Sequence, residues 1–226
     1  MKGQKAALQR PLSQGSFLVI EGPIGVGKTS LARRLAEALG FEGFFEEPES
    51  NPFLPRFYEN RRAFALSTQL FFLFQRHKLL EGLVQADFLR SGIVSDFLWA
   101  KDRVFARITL DDDEWRLYER ITAALEEPPI GPDLVIFLQA PVDVLIERIR
   151  RRGRPYESMD RDYLALLAES YNDFFHRYQD APLLMVNAAE ANFVESDEDL
   201  LSLIESIRGI RSGRHFFNPL ASGVVS

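Results

Sequence analysis

Gly22-Pro23-Ile24-Gly25-Val26-Gly27-Lys28-Thr29 fits the pattern G-x-x-x-x-G-K-[ST] at every fixed position, and its surroundings decide how the rest of the chain is read. Immediately upstream, Ser16-Phe17-Leu18-Val19-Ile20 is a short apolar run that ends in a Gly-Pro turn, the signature of a buried strand. Downstream, Leu31, Leu35 and Leu39 recur at helical spacing before Gly40 supplies a stop. Strand, glycine loop and helix in that order are the context in which such a loop cradles phosphate. The glycines let backbone N–H groups curl around phosphate oxygens, Lys28 adds a mobile positive charge, and the Thr29 hydroxyl at the helix N-terminus can ligate Mg²⁺. An ordinary strand-to-helix turn requires neither the lysine nor the hydroxyl. The candidate nucleotide-binding residues here are Gly22, Gly25, Val26, Gly27, Lys28, Thr29 and Ser30.

Outward from this loop the chain alternates between short apolar runs and longer amphipathic stretches. Further strands are expected at about 43–46, 92–97, 134–139 and 183–187, with helices at 29–39, 68–89, 113–125, 142–151, 163–178 and 197–207. The economical solution is an α/β fold: a five-stranded parallel sheet with helices on both faces, whose ligands bind beyond the carboxyl ends of the strands. No internal repeat or linker-like stretch divides the 226 residues, so residues 1–15 are read as a mobile leader and 16–226 as one domain. The tail beyond Gly209 carries no assignment.

Composition removes several classes of function. The absence of cysteine excludes disulfides and thiolate metal sites, so any metal must sit on oxygen ligands; it also fits a cytoplasmic location. A net charge of −6 gives no basis for binding a nucleic-acid polymer. Membrane spans and a signal peptide are not expected, since no stretch nears the length of an apolar span.

Three further features carry chemistry. Glu46-Glu47-Pro48 follows the second strand, where Glu47 is either a general base for an attacking hydroxyl or a solvated turn residue. Asp96 follows the third strand, where an acid either holds Mg²⁺ or caps the next segment. From Glu147 to Glu157 five arginines fall within seven residues of an otherwise acidic chain. Such repulsion has a use in a lid that closes over phosphates, where guanidinium forks grip the transferring group.

Taken together, these pieces resemble the deoxynucleoside kinase family, particularly bacterial members acting on deoxyadenosine or deoxyguanosine. The resemblance spans roughly residues 16–190. It rests on the glycine loop, Glu47-Pro48, Asn51-Pro52-Phe53 leading to Phe57-Tyr58, Thr68-Gln69 opening a long helix, and the Arg152-Gly153-Arg154 lid. It implies a P-loop kinase fold, ATP and Mg²⁺ as cofactors, a deoxynucleoside as the partner and a homodimer. It also implies roles. Glu47 is the general base at the 5′-hydroxyl, with Lys28 and Arg152 as catalytic cations. Tyr58 and Glu157 hold the sugar 3′-hydroxyl, and Gln69, Arg76 and Asp102 line the base pocket. Arg148, Arg152 and Arg154 contact phosphate, whereas Arg150 and Arg151 are bystanders. Thr29 and Asp96 serve the metal.

Phe71, Phe72 and Phe105 could form a base-stacking wall, but a Phe stripe on a helix is more often core, and they are left out of the site. One departure stands out: many family members carry arginine directly after the strand-three acid, where this chain has Phe97. Either the branch does without that arginine or Arg103 reaches the same region.

Two rivals share the phosphate loop. A nucleoside monophosphate kinase has an acceptor already bearing phosphate, which a carboxylate at Glu47 would repel. A kinase-like nucleotide-binding subunit without catalysis would have no need of Lys28, Thr29, Glu47 and Arg152 together. Nothing here resembles the Asn-Lys-x-Asp guanine-reading segment of a GTPase switch.

Overall fold

The computed structural model describes residues 12, 15–85, 91–125, 130–157 and 160–219. Strand β1 (Phe17–Glu21) is buried along its whole length, as a strand with helices on both faces must be. Its residues alternate between two cores. Leu18 and Ile20 join a cluster with Leu31, Leu35, Leu203 and Ile204, while Phe17 and Val19 join one with Phe137, Tyr171 and Phe175. The first cluster holds helices α1 (Lys28–Leu39) and α8 (Asp197–Arg208), and the second holds α7 (Arg161–Arg177).

Every neighbouring pair of strands is parallel. With β2 (Glu42–Phe44), β3 (Ile93–Ser95), β4 (Leu134–Gln139), β5 (Leu183–Asn187) and β6 (Arg214–Phe217), the sheet order is β2-β3-β1-β4-β5-β6. The chain runs from β1 out to β2, returns through β3, and crosses to the other side at β4. The carboxyl ends of β1 and β3 therefore flank the point where the order reverses, the usual place for a ligand crevice.

The sheet has six strands, where sequence patterning predicts five. The additional strand, β6, is Arg-His-Phe-Phe, mostly exposed and with neither alternation nor β-branched residues. It forms through backbone pairing with β5 and through the Arg214 guanidinium, which donates to the carbonyls of Phe175, His176 and Tyr178.

A separate helical outcrop stands over the β1–β3 end of the sheet. Helices α2 (Leu54–Glu59), α3 (Arg61–Gln85), α4 (Asp102–Thr109) and α5 (Asp112–Ala124) enclose a third core of Leu54, Phe57, Ala65, Leu73, Ala106 and Tyr118. The short α2 and α4 have too few turns to show a period in sequence. Helix α3 begins at Arg61 instead of residue 68, and the end expected for it at residue 89 lies outside the described residues, as does the leader apart from residues 12 and 15. Helix α6 (Val142–Arg152) completes the fold and ends at Gly153, whose φ of 70° stops it. Among the described residues no helix is long and apolar enough to cross a membrane.

Candidate active site

The loop between β1 and α1 lies against α6. At Gly25, φ is 86°, and a Cβ there would fall 2.8 Å from the Leu145 carbonyl oxygen and from Ile149 Cγ1, so only glycine fits. The Val26 side chain packs beneath the loop in the core, and its N–H donates to the Pro23 carbonyl at 3.3 Å. Lys28 Nζ reaches back across the turn to the carbonyls of Gly22 (2.8 Å) and Pro23 (3.2 Å). Burial, and then the charge of Lys101, lower its pKa to about 8.

The Thr29 hydroxyl donates to the Asp96 carboxylate, whose other oxygen accepts the Glu46 N–H at 2.8 Å. Asp96 lies just beyond β3. Burial first, and the nearby Glu46 charge second, raise its pKa to about 6. A hydroxyl and a buried carboxylate disfavoured as an anion make an oxygen donor set suited to a hard divalent cation, so these residues fit Mg²⁺.

From this floor opens a cavity of about 410 Å³. The glycine loop contributes Gly25, Gly27, Lys28, Thr29 and Ser30; the segment after β2 contributes Glu46 and Glu47. Helices α2 and α3 add Tyr58, Gln69, Phe72 and Arg76, the segment around α4 adds Lys101 and Phe105, and the lid adds Arg152, Arg154 and Glu157. Glu47 is exposed at the cavity wall, and its carbonyl accepts from Ser50 Oγ (2.7 Å) and Gln75 Nε2 (3.3 Å), which fix the turn. Arg76, 3% exposed, is clasped between the carboxylates of Glu46 and Asp102. That partner holds the Glu46 pKa low against the effect of burial.

Residues 18–210 match the family model described as deoxynucleoside kinase. The chain belongs to the deoxynucleoside kinase family. Among its relatives, the deoxyguanosine kinase of Bacillus subtilis (strain 168) is 33% identical over 195 residues, covering 83% of this chain and 94% of that protein. The deoxyadenosine kinase of Lactobacillus acidophilus is 29% identical over 212 residues, covering 85% of this chain and 97% of that one. In fold, the kinase is similar to a deoxyadenosine kinase from M. mycoides with bound dATP, with a TM-score of 0.73 and 24% identity over 86% of this chain and 100% of that one.

Most residues singled out in the sequence meet in this one cavity, but four do not line it. Gly22 and Val26 lie beneath the loop, and Asp102 sits behind Arg76, where it accepts the Tyr118 hydroxyl. Arg148 is also elsewhere: it donates to the carbonyls of Val26 (3.1 Å) and Ala188 (2.8 Å), fastening α6 to the back of the loop and the end of β5. Two of the other lid arginines converge on Glu157, whose side chain is 2% exposed; Arg152 Nη2 lies 2.5 Å and Arg154 Nη1 3.2 Å from it, and Arg154 also pairs with Glu49. Gln69 Nε2 donates to Thr109 Oγ1 at 3.3 Å. Tyr58 stacks on Tyr156 with ring centroids 5.9 Å apart, and burial, followed by the Glu157 charge, keeps its hydroxyl protonated.

Several lining residues escaped sequence reasoning, three of them with chemistry to offer. Phe72 and Phe105 face the cavity instead of serving only as core, and Lys101, whose spacing in the chain marks it for no role, is 2% exposed. Behind Lys101 stands Glu21, fully buried at the end of β1; its place directly before the glycine loop was the available signal. Arg103 stays at the surface 3.5 Å from Glu119 and does not reach the region after β3.

Proposed function

We propose that this kinase transfers the γ-phosphoryl group of ATP to the 5′-hydroxyl of a purine deoxynucleoside, yielding the 5′-monophosphate for nucleotide salvage. The observation that carries the proposal is the presence of Glu47, Lys28 and Thr29 in one cavity, a proton acceptor facing a phosphate cradle. Backbone N–H groups of the loop and the Lys28 ammonium bind the ATP phosphates. Thr29 and Asp96 would hold Mg²⁺, which when bound neutralises charge on the phosphate oxygens.

Glu47 orients the 5′-hydroxyl and accepts its proton as the oxygen attacks in line. Arg152 and Arg154 supply guanidinium charge from the lid side, and closure of the lid excludes water. Tyr58 and Glu157 hold the 3′-hydroxyl. The Gln69 amide, able to donate and accept at once, reads the base edge beside Arg76, with Phe72 and Phe105 offering apolar faces. Purine preference is supported by the relatives, which act on deoxyguanosine or deoxyadenosine by name. A neutral acceptor is supported by the exposed carboxylate of Glu47, which repels a substrate already carrying phosphate, whereas Glu46 and Glu49 are each matched by an arginine. Homodimer formation and residence in the cytoplasm belong to the same proposal.

The test incubates the chain with ATP, Mg²⁺ and each of deoxyguanosine, deoxyadenosine, deoxycytidine and thymidine, with their monophosphates in parallel. Monophosphate is expected to form fastest from a purine deoxynucleoside. Turnover of monophosphates alone would make it a nucleotide kinase instead.

A further inference from the structure

We infer that Lys101 is a further catalytic cation at the phosphoryl-transfer centre, held on station by the buried carboxylate of Glu21. This inference rests on the function proposed above. Lys101 ends the 3₁₀ turn Trp99–Lys101, through which the chain passes from β3 into α4, and it lines the cavity while only 2% exposed. Its Nζ lies 3.2 Å from Glu21 Oε1. That same oxygen accepts the Leu98 N–H at 2.7 Å, and Glu21 Oε2 accepts the Gly22 N–H at 3.1 Å. One carboxylate thus ties together the first residue of the glycine loop, the turn after β3 and the lysine. Glu21 is a positioning residue.

Stability alone gives no reason for this arrangement. Taking an ammonium and a carboxylate out of water costs more than their attraction usually returns, and apolar residues of similar volume commonly stabilise such sites. Met would fit among the neighbours of Lys101, whose Nζ stands 5.4 Å from the Phe105 ring centroid and 5.9 Å from that of Tyr171. An ammonium carries three N–H donors, and Glu21 is the one oxygen paired with it among the described residues, so donor capacity remains toward the cavity. Lys28 approaches that cavity from the loop, and Lys101 approaches it from the β3 side, near enough for its charge to act on Glu46. Two lysines, one at the start of α1 and one at the end of the turn after β3, then flank the group in flight. Neither Phe97, buried in the core, nor Arg103, paired at the surface, can take this position.

In the transfer itself, the bond between the 5′-oxygen and the γ-phosphorus forms as the bridging β–γ oxygen bond breaks and ADP leaves. The hydroxyl proton passes to Glu47. Lys101 donates a hydrogen bond to a γ-phosphoryl oxygen throughout and neither gains nor loses a proton. Its contribution is charge stabilisation that strengthens as negative charge spreads over those oxygens.

Because the chain has no cysteine, the idea has a direct chemical test. Lys101→Cys introduces a single thiol, which can be alkylated with 2-bromoethylamine under mild denaturant and refolded to restore an ammonium at nearly the same reach. Turnover, KM for ATP and for deoxyguanosine, circular dichroism and labelling by mass are measured for wild type, Lys101→Met, Lys101→Cys and the aminoethylated protein. We expect both uncharged variants to stay folded with kcat lowered about 10²–10³-fold and KM for deoxyguanosine changed little, and the alkylated protein to regain most of the rate. Folded Lys101→Met or Lys101→Cys protein with near-normal kcat would overturn the inference, and so would fully labelled, folded protein that stays inactive. A wild type that turns over no deoxynucleoside would instead remove the proposed function, a result distinct from either.

Discussion

On the phosphate side of the cavity, consecutive residues of one loop are positioned by the backbone as it turns from β1 into α1. On the nucleoside side, the lining comes from the segment after β2, from α2, α3 and α4, and from the lid, and its side chains hold one another. Arg76 is gripped by Glu46 and Asp102, Glu157 gathers Arg152 and Arg154, and Tyr58 leans on Tyr156. A site made of backbone tolerates changed side chains but not a Cβ in the wrong place. A site made of side chains fails when a single charge is removed. The two walls should therefore respond to mutation in opposite ways.

The largest effect is expected where the walls meet. Glu47→Gln keeps the shape of the residue and removes its basicity. Turnover should fall about 10²–10⁴-fold, the usual worth of a positioned general base, while ATP affinity by calorimetry stays near wild type. An unchanged kcat would take Glu47 out of the base role and leave the nucleoside wall without its proton acceptor.

Next is the charge network of that wall. Arg76→Ala leaves the carboxylates of Glu46 and Asp102 without their common cation in a buried setting. Denaturant unfolding should show a loss of about 3–5 kcal/mol. Arg150→Ala, on the exposed side of the lid helix, should stay within about 0.5 kcal/mol of wild type. Similar losses for the two variants would mean that the Arg76 cluster is not what holds the nucleoside wall.

A smaller effect tests the phosphate wall. Gly25→Ala puts a methyl 2.8 Å from the Leu145 carbonyl at a φ of 86°, so both the loop and α6 must give. Strain of this kind costs about 1–3 kcal/mol. The KM for ATP should rise more than that for the deoxynucleoside, since the loop carries the phosphate cradle whereas α6 bears only Arg152 of the nucleoside wall. Equal losses at both substrates would erase the distinction between the walls.

The same distinction explains what could be read in advance. The glycine loop, β1 and α1 are continuous in the chain, so pattern and spacing suffice to place them. Tyr58, Gln69, Arg76 and Glu157 acquire meaning only through a family resemblance, because nothing local separates them from helix-surface residues. Phe72 and Phe105 could not be told from core, since apolar periodicity is the same for a helix facing a core or a cavity. Glu21 and Lys101 are far apart in sequence, and their buried pair exists only once β1 and the turn after β3 lie side by side. Arg148 sits in the arginine cluster, yet its guanidinium turns toward backbone carbonyls, which no spacing rule registers. The edge strand β6 depends on pairing with β5, not on its own side chains.

The smallest predicted effect is a pair of opposed pH trends at Lys28. Burial, then repulsion from Lys101, lower its pKa from the ordinary 10.5 to about 8. Below pH 8 the lysine is charged in both folded and unfolded chains, and the fold bears the desolvation. Between pH 8 and 10.5 the folded chain releases the proton while the unfolded chain retains it, so this group makes stability rise with pH across that window, by on the order of 1 kcal/mol for a residue still partly in contact with water. Phosphate binding must move the other way, because only the ammonium attracts it. Chemical denaturation and ATP titration without divalent cation, each at pH 7.5 and 9.5, should show the enzyme gaining stability from Lys28 as it loses ATP affinity. Lys28→Met should remove this contribution to both slopes. If the variant keeps the wild-type affinity slope, the phosphate wall draws its charge from elsewhere, and the backbone, not the lysine, does most of the holding there.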